Sequence, residues 1–137
     1  MIFFNSENDF SIDNTEPTRK WLLNAINRLG FTAGEINFIF CDDNYLLDIN
    51  KKFLNHDTYT DIISFDYSDK TTLSGDIFIS TERVADNAKI FNTSFTNELH
   101  RVLIHGILHY AGFNDKTDDE KLEMRRQEDY YLSLREF

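Results

Sequence analysis

Apolar residues return every three or four positions over residues 97–111, the spacing of one continuous helix. Leu99, Val102, Leu103, Ile104, Gly106, Ile107, Leu108, Tyr110 and Ala111 cover most of its circumference, so this helix belongs in the interior. Its polar positions reduce to a narrow seam of Glu98, Arg101, His105 and His109. Elsewhere the pattern predicts shorter amphipathic elements. Ile2, Phe3, Phe4, Phe10 and Ile12 mark a first strand or strand pair. Pro17 suits the first residue of a helix carrying Trp21, Leu22, Ala25, Ile26 and Leu29 and closed by Gly30. Ile36, Phe38 and Phe40 alternate along a strand from Glu35 to Cys41. Asp42-Asp43-Asn44 starts a helix through Leu54, with acids at its positive end.

A polar connection from Asn55 to Thr60 leads to a strand, Asp61 to Tyr67, with apolar residues on both faces, which points to a central place in the sheet. A short polar loop joins it to the strand Gly75 to Ser80, and the pair reads as an antiparallel hairpin. Thr81 to Asn92 is helical, Ser94 or Thr96 caps the next helix, and Thr117-Asp118-Asp119-Glu120 is a capping box opening a last helix to about Leu134. The expected fold is α+β: one small domain over residues 1–137, with a mixed sheet of about four strands packed by about five helices, the histidine helix central and buried.

Composition narrows the classes. With 41% hydrophobic residues and 13 phenylalanines, the 137-residue chain can bury a core, which argues against disorder. No run of about 18 apolar residues suggests a membrane span. The start, Met1-Ile2-Phe3-Phe4-Asn5, has neither a basic region nor a long apolar stretch, so no secretory signal is expected and the cytoplasm is the expected location. Cys41 is the single cysteine, which excludes an internal disulfide and a cysteine-based zinc cluster. The net charge of −10 lacks the basic footprint of a nucleic-acid binder, so any such contact needs a local basic patch, a metal or a partner.

The chemistry centres on His105 and His109. Four apart on a helix, they share one face, in a seam where an unpaired imidazole would be costly. Gly112 suits a left-handed helix end, after which the chain turns back and presents Asp115 to the same face. Two imidazoles and one return-loop ligand are the three protein ligands of a catalytic zinc site, with a fourth position for water, and the expected cofactor is one Zn2+ or another divalent ion per chain. Such a site supports hydrolysis at a carbonyl or phosphoryl group. The spacing His-x-x-x-His-x-x-Gly-x-x-ligand is that of metzincin peptidases, but their general-base glutamate is replaced by Gly106. Glycine there either leaves room for a bulky substrate or permits close packing.

The chain resembles the YbeY family of bacterial metal-dependent endoribonucleases that act in ribosomal RNA maturation. That family's signature reads His-Gly-x-Leu-His-x-x-Gly-[Tyr/Phe]-Asp-His, where this chain has His105-Gly106-Ile107-Leu108-His109-Tyr110-Ala111-Gly112-Phe113-Asn114-Asp115. A second block, Asn-x-x-[Tyr/Phe]-Arg followed by Thr-[Asp/Asn]-Val-Leu-Ser-Phe, is met by Asn50-Lys51-Lys52-Phe53-Leu54 and then Thr60-Asp61-Ile62-Ile63-Ser64-Phe65. A third, Gly-Asp-Ile, is Gly75-Asp76-Ile77. The resemblance implies a single-strand-specific endoribonuclease with ribosomal RNA and the ribosome or ribosomal proteins as partners, and a metal held by His105, His109 and Asp115.

Two departures change the expected chemistry. Asp115 stands where the family has its third histidine; carboxylate oxygen remains a zinc ligand, but its charge weakens the ion as a Lewis acid and favours harder metals. Leu54 replaces an arginine able to clamp a phosphate in bidentate fashion, leaving Lys51, Lys52 and Arg101 as candidate phosphate contacts by position. Asp61 and Asp76 either orient a metal-bound histidine or hold a turn. His56 falls in a polar loop, and His100 on the far side of its helix reads as structural. The competing readings are a metzincin-like peptidase or small hydrolase, and a non-catalytic ribosome-associated factor with a structural metal.

Overall fold

The computed structural model describes residues 1–56 and 59–137; residues 57 and 58, within the expected polar connection, lie outside the described set. In chain order the elements are β1 (Ile2–Ser6), α1 (Thr15–Arg28), β2 (Thr32–Cys41), α2 (Asp43–Leu54), β3 (Ile62–Asp66), β4 (Thr72–Ser80), α3 (Thr81–Ile90), α4 (Phe95–Tyr110) and α5 (Asp118–Ser133). The sheet runs β1-β2-β4-β3, parallel except for the antiparallel β3–β4 hairpin. This is the mixed four-stranded α+β fold expected from the pattern. Among the described residues, no helix is long and apolar enough to cross a membrane.

The alternation along β2 and β4 decides which face carries the main core. Ile36, Phe38 and Phe40 of β2, and Leu73, Ile77 and Ile79 of β4, turn to one side and pack with Leu22 and Ile26 of α1 and Leu103, Ile104 and Leu108 of α4. On the other side α2 lays Leu46 and Ile49 over Cys41, Ile63, Phe65 and Phe78. The sheet is therefore covered on both faces, and α4 lies against it with α5 outside.

Two expectations change, and one left open is decided. The Asp61–Tyr67 strand is at the sheet's edge, not its centre: Ile62 faces the main core and Ile63 faces α2, so helices on both faces explain its apolar sides without a second neighbouring strand. The first apolar stretch holds one strand. After Ser6 the chain doubles back through an Asn8 side chain that accepts from Phe10 N–H, and Phe10 packs edge-on to Phe40 at 4.9 Å instead of pairing. Pro17 occupies the third position of α1, still within the first turn where its missing N–H is not needed.

Gly106 is where α4 meets the sheet. A Cβ added there would stand 2.9 Å from Ile77 Cδ1, so this glycine serves close packing of helix on strand. The end of α4 is tied down by Tyr110, whose hydroxyl donates to the Phe65 carbonyl at 2.8 Å. Gly75 lies beneath that hydroxyl, where any Cβ would collide with it.

Candidate metal centre and its cleft

Ser94 caps α4 by accepting from Asn97 N–H, and the helix then carries His105 and His109 one turn apart, with ring centroids 6.0 Å from each other. The C-terminus closes as a Schellman turn: Phe113 N–H donates to Leu108 C=O and Gly112 N–H to His109 C=O, with Gly112 at φ +105°. That turn reverses the chain, brings Asp115 back along the helix, and places the Phe113 carbonyl 3.0 Å from His109 Nδ1. A carbonyl only accepts, so His109 donates from Nδ1 and its Nε2 lone pair is left for another partner.

His105 is organised by α5. Its Nδ1 lies 2.7 Å from the Glu128 Oε2 carboxylate, and its Nε2 lies 3.4 Å from Asp115 Oδ2. Burial pulls the His105 pKa down, but the Glu128 hydrogen bond and charge, with Asp115 and Asp61 behind them, outweigh it and leave the imidazole more basic than usual. His105 thus stands between two carboxylates, Glu128 at Nδ1 and Asp115 at Nε2, and an ion bound at Nε2 would displace any proton held there. Among the described residues, no three His, Cys, Asp or Glu side chains are grouped so that they could hold a metal ion as they stand. The structure joins His105 to Asp115 and places His109 one turn along on the same face.

The donor types suit a divalent ion, two imidazoles with Nδ1 already engaged and the Asp115 carboxylate on the return loop, but the side chains are not gathered around one point. The group orienting His105 is Glu128, which local sequence pattern did not single out. Only 6% exposed, it also accepts from Arg101 at 3.0 Å. One signal was available: Met124, Glu128, Tyr131 and Leu132 form the buried stripe of α5, and Glu128 is its charged member.

His105, His109, Asp115 and Glu128 line a cleft of about 860 Å³ between the edge strand β3, α4, α5 and the ends of α2 and α3. Asp61 lies on its wall, its carboxyl pushed up chiefly by burial and pulled back by His105 and two backbone N–H groups. Glu98, also on the wall, is likewise raised by burial. The other candidates separate. Arg101 reaches the cleft, but its guanidinium is held by Glu128 and by Asp129 at 2.7 Å, so it braces the site. Lys51 and Lys52 are exposed on α2 and are not part of the cleft lining. Asp76 accepts from Asn37 Nδ2 at 3.1 Å across the sheet, away from both histidines. His56 is exposed at the cleft wall. His100 is buried against Trp21 and Phe137 and accepts from Arg135. Leu54 makes the wall apolar at its position. Lys121 and Arg125 of α5 also line the cleft, two further cations that the linear pattern leaves unmarked.

Comparison with known proteins bears on the whole chain. The family described as Endoribonuclease YbeY matches residues 2–135. Curated relatives named Endoribonuclease YbeY include one from Flavobacterium johnsoniae, 55% identical over 134 residues and covering 98% of this chain and 96% of the relative. Another, from Christiangramia forsetii, is 56% identical over 133 residues, covering 97% and 93%. The solution structure of a Thermotoga maritima protein superposes with a TM-score of 0.70 at 26% identity, over 97% of this chain and 87% of that one. The match runs through both histidines, the return loop and α5 alike, and the chain belongs to the YbeY family of endoribonucleases.

Proposed function

We propose that this protein is a metal-dependent endoribonuclease that cuts single-stranded RNA during ribosomal RNA maturation, with one zinc or similar divalent ion held by His105, His109 and Asp115. The observation that carries the reading is the pair of engaged Nδ1 atoms. Glu128 holds His105 and the Phe113 carbonyl holds His109, so both rings keep Nε2 for the ion, and His105 Nε2 lies beside the Asp115 carboxylate. The ion would supply positive charge against the phosphoryl oxygens and lower the pKa of water.

The chain's own residues do the rest. Glu128 keeps His105 in the donor tautomer, while Arg101 offsets the buried charge of Glu128. The Schellman turn holds the third ligand on the return path. The cleft admits a strand whose bases are unpaired, and its size is at the upper end for a built ligand site. A ribosomal RNA substrate supports a cytoplasmic site of action, with the ribosome or ribosomal proteins as partners.

The test is cleavage of a ribosomal RNA precursor by wild type and His109→Ala, each purified through several columns. Wild type should cut and the variant should lose at least about 100-fold in rate, since a ligand is removed outright. Equal cleavage by both proteins would end the proposal.

A further inference from the structure

The cleft must meet an anionic strand although the chain carries a net charge of −10, so the protein's overall field repels the substrate. Local cations have to supply the attraction. Arg101 is occupied by Glu128 and Asp129, and Lys51 and Lys52 stand outside the cleft lining. Lys121 and Arg125 remain, one helical turn apart on the α5 wall and both in water. The Arg125 side chain is 49% exposed, and its contact to Glu128 Oε1 is a loose 3.9 Å.

Beside it stands Phe91, just beyond α3, also on the cleft wall and 56% exposed. The Arg125 guanidinium carbon lies 5.9 Å from the Phe91 ring centroid. Folding thus leaves a large apolar ring in solvent, within reach of an arginine and in the same cleft as the histidine pair. An aromatic face beside a guanidinium is what an unpaired base stacks on, while the guanidinium and a neighbouring ammonium take the phosphates on either side.

We infer that Lys121, Arg125 and Phe91 form the subsite for the nucleotide next to the scissile phosphate, Phe91 stacking its base and the two cations neutralising its phosphates. This subsite takes over the anion contact that Leu54 cannot make. The inference rests on the endoribonuclease reading above.

The experiment is binding of a short, labelled single-stranded 2′-O-methyl RNA, followed by fluorescence anisotropy across a salt series, with RNA cleavage measured in parallel. Arg125→Ala and Lys121→Ala should each weaken binding and each reduce the slope of log K against log salt by about 0.7. Phe91→Ala should weaken binding about 5- to 100-fold, Phe91→Tyr should restore it, and Phe91→Ala should lose nothing against the same strand made abasic. All three side chains are solvent-exposed, so melting temperatures should stay near wild type. If wild type binds and cuts RNA but the cation variants keep the full salt slope and Phe91→Ala binds normally, the subsite is wrong and the nuclease reading stands. If wild type neither binds nor cuts RNA, both fall together.

Discussion

His105 has a different partner at each ring nitrogen, and the two partners divide its work. Asp115 lies at Nε2, the side proposed for the metal, while the buried Glu128 carboxylate fixes the other side at Nδ1. Glu128→Gln keeps the size and an acceptor oxygen but removes the charge that makes His105 a strong donor. Zinc affinity, read by competition with a chromophoric chelator, should fall about 10- to 100-fold. Unchanged affinity would show that Glu128 only braces Arg101. Both histidines and Asp115 are legible in the sequence because they sit within eleven residues of one another on a helix and its return loop. Glu128 is not, because 23 residues separate it from His105 and only the packing of α5 on α4 brings them together.

At the level of the element, α4 and its Schellman turn form one unit. Gly112 sits at φ +105°, and a Cβ added to it would have nothing within 4 Å, so an alanine there meets no neighbour and suffers only backbone strain. Gly112→Ala should cost about 1 kcal/mol, a fall of a few degrees in melting temperature. It should also weaken zinc binding, because the turn holds the Phe113 carbonyl on His109 Nδ1. Loss of stability with full zinc affinity would mean that the turn does not position the site. The helix, its cap signals and its glycine end were all legible locally. The placement of β3 was not, since apolar residues on both faces are equally consistent with a central strand and with an edge strand covered by α2 and α4.

Across the whole molecule, pH dependence follows from groups that folding moves in opposite directions. Burial, reinforced by the Arg135 charge, lowers the His100 pKa from 6.5 to about 4. The unfolded chain therefore binds the extra proton first, and stability present above about pH 6.5 is lost as the pH falls towards 4, on the order of 3 kcal/mol. Asp61 and Glu98, raised by burial, act with the opposite sign: the fold holds their protons more tightly, so they favour the folded state as pH falls. Their opposition makes the wild-type curve ambiguous, so the measurement is a difference. Between pH 7 and 4.5 the melting temperature of His100→Gln should fall less than that of wild type. Parallel curves would show that His100 titrates normally in the fold.

Short-range pattern alone determined most of the elements, the sheet's main core face, the buried character of α4, and the pair of histidines with Asp115 beyond a glycine turn. Each of these rests on neighbours within a few residues, where helical and strand periodicity dictate which side chains share a face. Tertiary structure alone decided that β3 is an edge strand opening onto the cleft, that the Arg101 guanidinium is paired with Glu128 and Asp129, that Glu128 orients His105, and that Lys121 and Arg125 share the cleft wall with Phe91. Those facts depend on how α5, α3 and the sheet pack around α4, and contacts between residues distant in the chain leave no spacing by which to read them.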